Sequence, residues 1–553
     1  MLPTAPWPLR RFRAARGQAL TLAVALALTM VATGSGLSPA RASQSVLQVV
    51  VQEWNPADRA AEDAVERLGG DTARQLPIVD GFAATIPAGQ LASLEGAPGV
   101  KNVTVNRSVK LTGQYGENSS VASAVYTDAV RASMAWNKGY TGDGVGVALI
   151  DTGVNASGDL AGTVVHAEDF TREQNNVDSF GHGTFVAGLI AGQGTASNGG
   201  VKGVAPGAHL VSVKIAGADG STDLYRLLAA LEWVATYKDV YGIRVVNLSL
   251  GTESNQSYLT DPLNLAVERV WNSGIAVVVA AGNQGTAPGT IAKPGDDPLV
   301  ITVGSTDDHT TATNRDDTLA SFSSAGPTAF DGLAKPDLVA SGKSVVSTRA
   351  SGSTIDTAHP EARIGNTYFK GSGTSFSAPI VAGAAALVID RTWSLSPNQV
   401  KQRLVSTARL AAGVDRAAQG AGQLDAFAAT MSSDTTAANA GVAGAQGGGG
   451  PAQFNEARYL GSSWAGSSWA GSSWAGSSWA GSQWNGSSWA GSSWAGSSWA
   501  GSSWAGSSWA GSSWAGSSWA GSSWAGSSWA GSSWAGSSWA YEPAVLGWLG
   551  TYD

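Results

Sequence analysis

Three short segments of the chain carry residue types that together make an activated hydroxyl nucleophile. Val145–Asp151 runs into Thr152-Gly153, Gly181-His182-Gly183-Thr184 follows, and Gly373-Thr374-Ser375-Phe376-Ser377-Ala378-Pro379 comes far downstream. A serine hydroxyl attacks poorly at neutral pH unless a hydrogen-bonded imidazole takes its proton. The imidazole in turn needs a carboxylate to fix its tautomer and stabilise its cation. Asp151, His182 and Ser375 supply these groups, each beside glycine or other small residues. The chemistry expected is acyl transfer with hydrolysis. A fourth group joins them where Val277–Ala281 runs into Gly282-Asn283. A side-chain amide there has a donor for the oxyanion of a tetrahedral intermediate. Taken singly, Asp151 and Asn283 read as turn residues, His182 as a helix-start residue and Ser375 as a helix cap. Their consistent placement at strand ends and helix starts makes them one site.

The elements that must position these groups follow from hydrophobic patterning. Between about 120 and 430, strand-like runs alternate with helical spacing. Val145–Ile150, His209–Ile215, Arg244–Leu250, Ile275–Ala281 and Leu299–Val303 read as strands. Phe185–Ala191, a segment with apolar residues at Leu224, Leu227, Leu228, Leu231 and Val234, and Leu263–Trp271 read as helices, with Ser221-Thr222-Asp223 as cap signals for the second. Repeated βα units specify an α/β fold, a parallel sheet with helices on both faces. Asp151 then sits at the carboxyl edge of the sheet, where ligand groups gather. Pro379 is expected in the first turn of a buried helix Ile380–Ile389, which places Ser375 at that helix's positive end.

Ahead of this domain, residues 44 to 110 read as a small α+β unit. Strands are expected at Ser45–Gln52, Ile78–Ile86 and Val100–Val105, with helices at Asp58–Leu68 and Pro87–Leu94. A unit of this length has a marginal core of its own and should lean on its neighbour.

Composition narrows the function. The 553 residues carry 33 Lys+Arg against 41 Asp+Glu, a net charge of -8, and no cysteine. An acidic balance argues against nucleic-acid partners. Thiol catalysis, cysteine-based metal sites and disulfides are excluded. Arg10, Arg11, Arg13 and Arg16 precede the apolar Gln18–Val31 and the small-residue pattern Ala40-Arg41-Ala42, which together read as an export signal. Arg10-Arg11-Phe12 leaves general secretion and twin-arginine export both open. No later segment is apolar enough to span a membrane.

On Asp151-Thr152-Gly153, Gly181-His182-Gly183-Thr184, Ala280-Ala281-Gly282-Asn283 and Gly373-Thr374-Ser375-Phe376-Ser377-Ala378-Pro379, the chain resembles a subtilisin-family (subtilase) serine protease over about Tyr126–Leu424. The resemblance implies that Ser375 is the nucleophile, His182 the base and then acid, Asp151 its orienter, and Asn283 with the Ser375 N–H the oxyanion hole. It also implies that substrate adds as a strand beside Ser249-Leu250-Gly251, with Gly217–Ser221, including Gly217, Gly220 and Ser221, as the other rim. The primary pocket would lie near Ala280, Ala281 and Ala292. These small walls favour medium to large apolar side chains, while Gln284 is neutral and Asp296 and Asp297 leave a basic preference open. No cofactor is required for the chemistry. A structural calcium ion is implied as an option, with Asp159 and the Thr195–Gly200 loop as its candidate ligands.

The division expected is a signal peptide over 1–42, an inhibitory, folding-assisting propeptide over 43–115, the peptidase domain over 116–430, a Gly/Ala/Ser linker over 431–460, a repeat over 461–540 and a tail over 541–553. Self-cleavage is expected between about Lys110 and Ser120. The product is then a secreted or surface-associated endopeptidase acting on peptides. The alternative is a non-enzymatic surface or assembly protein carrying an inactive protease scaffold.

The repeat is Gly-Ser-Ser-Trp-Ala, broken only by Gln483 and Asn485, with Trp at every fifth position from Trp464 to Trp539 and no charge. A period of five fits neither a helix nor a flat strand, although a solenoid with one repeat per side aligns it. Burial of the rings alone does not offset the ordering of so long a segment. A mobile or self-associating tail is therefore expected, with rings stacking on cell-wall or other insoluble polysaccharide or on other copies. A plain spacer leaves the tryptophans unexplained.

Overall fold

A computed structural model describes residues 45–444, apart from 112, 116–123, 172, 174, 255, 314, 412–413 and 443, together with the backbone of short strands between 468 and 539. The expected signal peptide, the linker beyond 444 and the last thirteen residues lie outside the described residues. Among the described residues no helix is long and apolar enough to cross a membrane.

The first unit runs β1 (Val46–Glu53), α1 (Ala60–Arg67), β2 (Asp71–Leu76), β3 (Gly81–Pro87), α2 (Leu91–Glu95) and β4 (Val100–Val105). Its strands form an antiparallel sheet in the order β2-β3-β1-β4. Alternation along a strand sends successive side chains to opposite faces, and both faces are used. Val49, Val51, Phe82 and Ile86 pack on Ala61, Ala64, Val65 and Leu94 of the unit's own helices. Val50, Leu76, Ile78 and Ala83 join the core of the larger body. One difference from expectation is local. Ile78–Ile86 is broken at Asp80, whose φ of 50° turns the chain after a Pro77–Val79 turn of 3-10 helix. β2 was unread because its sequence, DTARQL, is polar and mostly exposed, as suits a sheet edge.

Two short strands follow, β5 (Ser108–Leu111) and β6 (Gln114–Tyr115), then α3 (Tyr126–Ala129) and α4 (Ala132–Trp136). The large body continues with β7 (Gly146–Asp151), β8 (Val164–Asp169), α5 (His182–Ala191), β9 (His209–Lys214), β10 (Thr222–Asp223), α6 (Leu224–Tyr237), β11 (Ile243–Leu248), β12 (Leu250–Gly251), α7 (Pro262–Asn272) and β13 (Ala276–Ala280). It ends with β14 (Ile301–Asp307), β15 (Thr318–Leu319), β16 (Leu338–Ser341), β17 (Val345–Thr348), α8 (Thr354–Ala358), β18 (Arg363–Ile364), β19 (Tyr368–Ser372), α9 (Thr374–Arg391), α10 (Pro397–Ser406), α11 (Arg416–Gln419) and α12 (Ala426–Met431). The main sheet has the order β15-β14-β13-β11-β7-β9-β8, with β16 also on β14. Its pairs are parallel except β14 with β15. This is the subtilisin-like α/β arrangement expected, with β7, β11 and β13 buried throughout.

α9 begins earlier than Pro379 implied. It starts at Thr374, so the proline stands inside the helix rather than in its first turn. Ser375 nonetheless lies in the first turn of a helix that is buried from Thr374 to Ile389.

Part of the presumed linker is not loose. Arg403 Nε donates to the Asp434 carbonyl at 2.8 Å, and Gln399 Nε2 to Thr435 at 3.0 Å. Asn439 Nδ2 donates to Leu299 at 2.9 Å. Small residues carry little packing signal, but donors on α10 capture their carbonyls.

The repeat also departs from the expected mobile tail. Three-residue strands pair in parallel with strands twenty residues onward, Ser468 opposite Ser488 and Trp469 opposite Trp489, and so on to Trp519 opposite Trp539. The strands fall into four separate ladders. Four pentapeptides thus separate successive strands of one ladder.

Candidate active site

Asp151 ends β7 with its backbone still in the sheet, so its carboxylate is held at the strand's carboxyl end. His182 opens α5, and its Nδ1 lies 2.8 and 2.9 Å from the two oxygens of Asp151. Both side chains are buried. A carboxylate only accepts, so this contact places the ring proton on Nδ1 and leaves the lone pair on Nε2. The Thr152 N–H donates to the same carboxylate at 2.8 Å. His182 Nε2 is buried without a hydrogen-bond partner among the described residues. Gly183 permits this approach, since a β-carbon there would run into the Gly153 carbonyl and lie 3.2 Å from Asp151 Oδ1.

A buttress that sequence reasoning missed lies behind this pair. Asp178 accepts from Thr152 Oγ1 at 2.7 Å, Gly181 N at 2.6 Å and Thr184 N at 2.7 Å. It thereby ties the end of β7 to the start of α5. Burial pushes its carboxyl up from the usual range, against these hydrogen bonds.

Ser375 lies in the first turn of α9, whose start packs beside the imidazole. The ring of Phe376, the next residue, lies 5.7 Å from the His182 ring. Asn283 also reaches this helix start. Its Oδ1 accepts from Thr374 N at 2.9 Å and Thr374 Oγ1 at 2.8 Å. A backbone N–H can only donate, so the amide oxygen is fixed there and the donor-bearing Nδ2 takes the other arm. Ser249 is buried, with its Oγ bonded to Asn247 Nδ2 and to the Ser375 carbonyl.

β12 pairs with β5, Leu250 opposite Leu111 and Gly251 opposite Lys110. The opposite pairing is made by β10, Thr222 opposite Val109 and Asp223 opposite Ser108. Gly217, Gly220 and Ser221 form the turn leading into it, with Gly220 N donating to Gly217 O at 2.9 Å and Ser221 bonded to Asp219. This pairing lies one step further along than Gly217–Ser221, at residues read only as cap signals. Asp223 serves in both ways, since its side chain also accepts from Arg226 N.

The three alanines converge. Ala280 and Ala281 are buried, and Ala292 N donates to the Ala281 carbonyl at 2.9 Å. A β-carbon on Gly251 would lie 2.9 Å from that of Ala292, which sets this wall against β12. Asp296 and Asp297 do not offer a charge for a basic side chain. Asp296 bonds Lys293 Nζ at 2.5 Å and Asn264 at 3.0 Å, and Asp297 caps Leu299 N at 2.9 Å. Both are buried, and burial pushes both carboxyls upward, Asp297 to about 6. Gln284 is held by Glu253 at 2.9 Å.

The residues at Asp159 do not suit a calcium ion. Its oxygens accept from Thr195 Oγ1 at 2.6 Å, Ala196 N at 2.8 Å and the Tyr368 hydroxyl at 2.5 Å. The Thr195–Gly200 loop thus presents donors to the carboxylate rather than carbonyls to a cation. Among the described residues no group of three or more His, Asp or Glu is placed to hold a metal.

The subtilase family model matches residues 142–449, more than half of the chain. Serine protease AprX of Bacillus subtilis (strain 168) is 38% identical over 328 residues, 58% of this chain and 72% of that protein. Subtilisin DY of Bacillus licheniformis is 38% identical over 281 residues, 50% of this chain and 89% of the relative. Subtilisin Savinase of Lederbergia lenta is 38% identical over 305 residues, 54% and 96% of the two chains. The chain belongs to the subtilase family and is a serine endopeptidase.

Proposed function

We propose that the chain is an exported endopeptidase made as a self-processed precursor. Ser375 attacks the scissile carbonyl, His182 takes its proton and later delivers it to the leaving nitrogen, and Asp151 orients and stabilises the imidazolium. Asn283 Nδ2 and the Ser375 N–H receive the oxyanion. Residues up to about 112 act as a propeptide that inhibits in cis. No structural ion is needed for any of these steps.

One observation carries this reading. β5 lies between β10 and β12 as the central strand of a three-stranded sheet, the position expected for a bound peptide. Just beyond it, a β-carbon on Gly113 would lie 3.2 Å from His182 Cδ2. The imidazole must protonate the departing amine, so the residue against its ring supplies that nitrogen. Cleavage then falls between Thr112 and Gly113. The segment also blocks the cleft until it leaves, which accounts for inhibition. Docking is supported by the Arg107–Asp261 ion pair at 2.8 Å and by the Arg269–Asp80 pair.

The test is N-terminal sequencing of the processed product, with fluorophosphonate labelling of the wild type, Ser375→Ala and Ser377→Ala. A product beginning Gly-Gln-Tyr, and labelling lost only in Ser375→Ala, are expected. A product beginning near Ser43, or labelling that survives in Ser375→Ala, sinks the proposal.

For the repeat, the reading is adhesion to insoluble polysaccharide or assembly with other copies. The uncharged, regularly spaced tryptophans support it. Pull-down on cell-wall material, together with the sedimentation of full-length and repeat-deleted protein, separates the two from a plain spacer.

A further inference from the structure

We propose that the cleft holds an aromatic subsite on the leaving-group side, which accepts phenylalanine or tyrosine at the third residue after the scissile bond. This rests on the cleavage register proposed above.

β6 continues past the imidazole and pairs antiparallel with β19, Gln114 opposite Ser372 and Tyr115 opposite Gly371. β19 leads directly into Gly373 and α9, so the pairing is anchored to the strand that delivers Ser375. The Tyr115 ring sits among four others. Its centroid is 5.6 Å from Phe369, 5.8 Å from Phe376, 6.0 Å from His359 and 6.1 Å, edge-on, from Phe185. These are attractive aromatic geometries. Phe185 and Phe376 lie in the same helices as His182 and Ser375, so the walls share the rigidity of the catalytic elements. Phe185, Phe369 and Phe376 are almost fully buried. All four walls lie after the cleavage point and stay with the enzyme once processing is complete.

The pocket reads the ring and not the hydroxyl. Tyr115 Oη is buried with no hydrogen-bond partner among the described residues. Burial also raises this phenol well above its usual range, with Asp151 and Asp178 adding to the effect. A buried donor without a partner costs binding relative to its apolar counterpart. Phenylalanine therefore serves at least as well as the native tyrosine. The residue next to the scissile bond is constrained in the opposite sense, since a β-carbon on Gly113 would come within 2.9 Å of the Phe376 ring and of Tyr115 Oη.

The test uses the self-processed full chain and quenched-fluorescent peptides copying residues 108–117, varied only at the position of Tyr115. Phe is expected to exceed Ala in kcat/KM by about tenfold, with Tyr at or below Phe and Lys lowest. Phe369→Ala should pull the Phe-to-Ala ratio towards one. In the precursor, Tyr115→Phe should process at least as fast as wild type and Tyr115→Ala about tenfold slower. Equal kcat/KM for all four peptides on fluorophosphonate-reactive wild-type enzyme overturns the subsite and leaves the triad reading intact. Absence of fluorophosphonate labelling overturns the triad reading itself.

Discussion

The hydroxyl of Ser249 donates to the backbone carbonyl of Ser375 at 2.7 Å. In an α-helix that carbonyl accepts from the residue four positions on. That residue is Pro379, which has no N–H to give. A proline inside α9 thus releases the carbonyl of Ser375, and the Ser249 side chain captures it. The helix carrying Ser375 and the segment between β11 and β12 are joined at this point.

Ser249→Ala should leave that buried carbonyl without this donor and lower stability by about 1–3 kcal/mol. Pro379→Ala restores a backbone N–H. In the double variant the Ser249 effect should shrink, a coupling that thermal or denaturant unfolding in a double-mutant cycle would read. Additive losses would mean the two residues act independently.

His182→Ala should lower turnover by about 10⁶-fold and Asn283→Ala by about 10²–10³-fold, with KM changed little. These magnitudes are those of other members of this family rather than values derived from this geometry. Steady-state kinetics on one peptide substrate checks both. An Asn283 loss seen mainly in KM would remove it from the oxyanion role.

The amino-terminal unit should weaken as pH rises from 4.5 towards 8. Burial, reinforced by nearby Glu62, pushes the Glu53 carboxyl up to about 8 from its ordinary 4.5. Between those values the folded unit holds a proton that the unfolded chain has released, so stability falls with pH. Below 4.5 the contribution is complete, and above 8 its loss is complete. Glu53→Gln should flatten this dependence. Hydrogen exchange of β1 to β4 in a Ser375→Ala precursor, measured across this range, is the direct readout.

Lys293→Ala should destabilise the enzyme by about 3–5 kcal/mol, because it strands the buried Asp296 carboxylate. For the same reason a peptide series varied before the scissile bond should show no preference for Lys or Arg. A basic preference abolished in Asp296→Asn would reverse the assignment of that carboxylate to the core.

Much of the catalytic centre was legible in the linear chain, and the reason is local. Asp151, His182, Asn283 and Ser375 each stand where a strand ends or a helix begins, and their glycine and small neighbours betray close backbone approaches. The strand runs were legible because a buried parallel sheet demands continuous apolar segments. β2 was not, because an edge strand can be polar. The pairing of Thr222–Asp223 with β5 was not legible either, since it depends on a strand more than a hundred residues earlier in the chain.

The amino-acid sequence by itself determined the serine-endopeptidase class and the α/β class of the fold. Each of these is written in residue identity and short-range periodicity. Tertiary structure decided that Asp296 and Asp297 belong to the core, that Asp159 is occupied by hydrogen bonds, and that Tyr115 lies in an aromatic pocket. Those outcomes depend on which partners arrive from distant segments, and a carboxylate or a ring carries no local mark of the company it will keep.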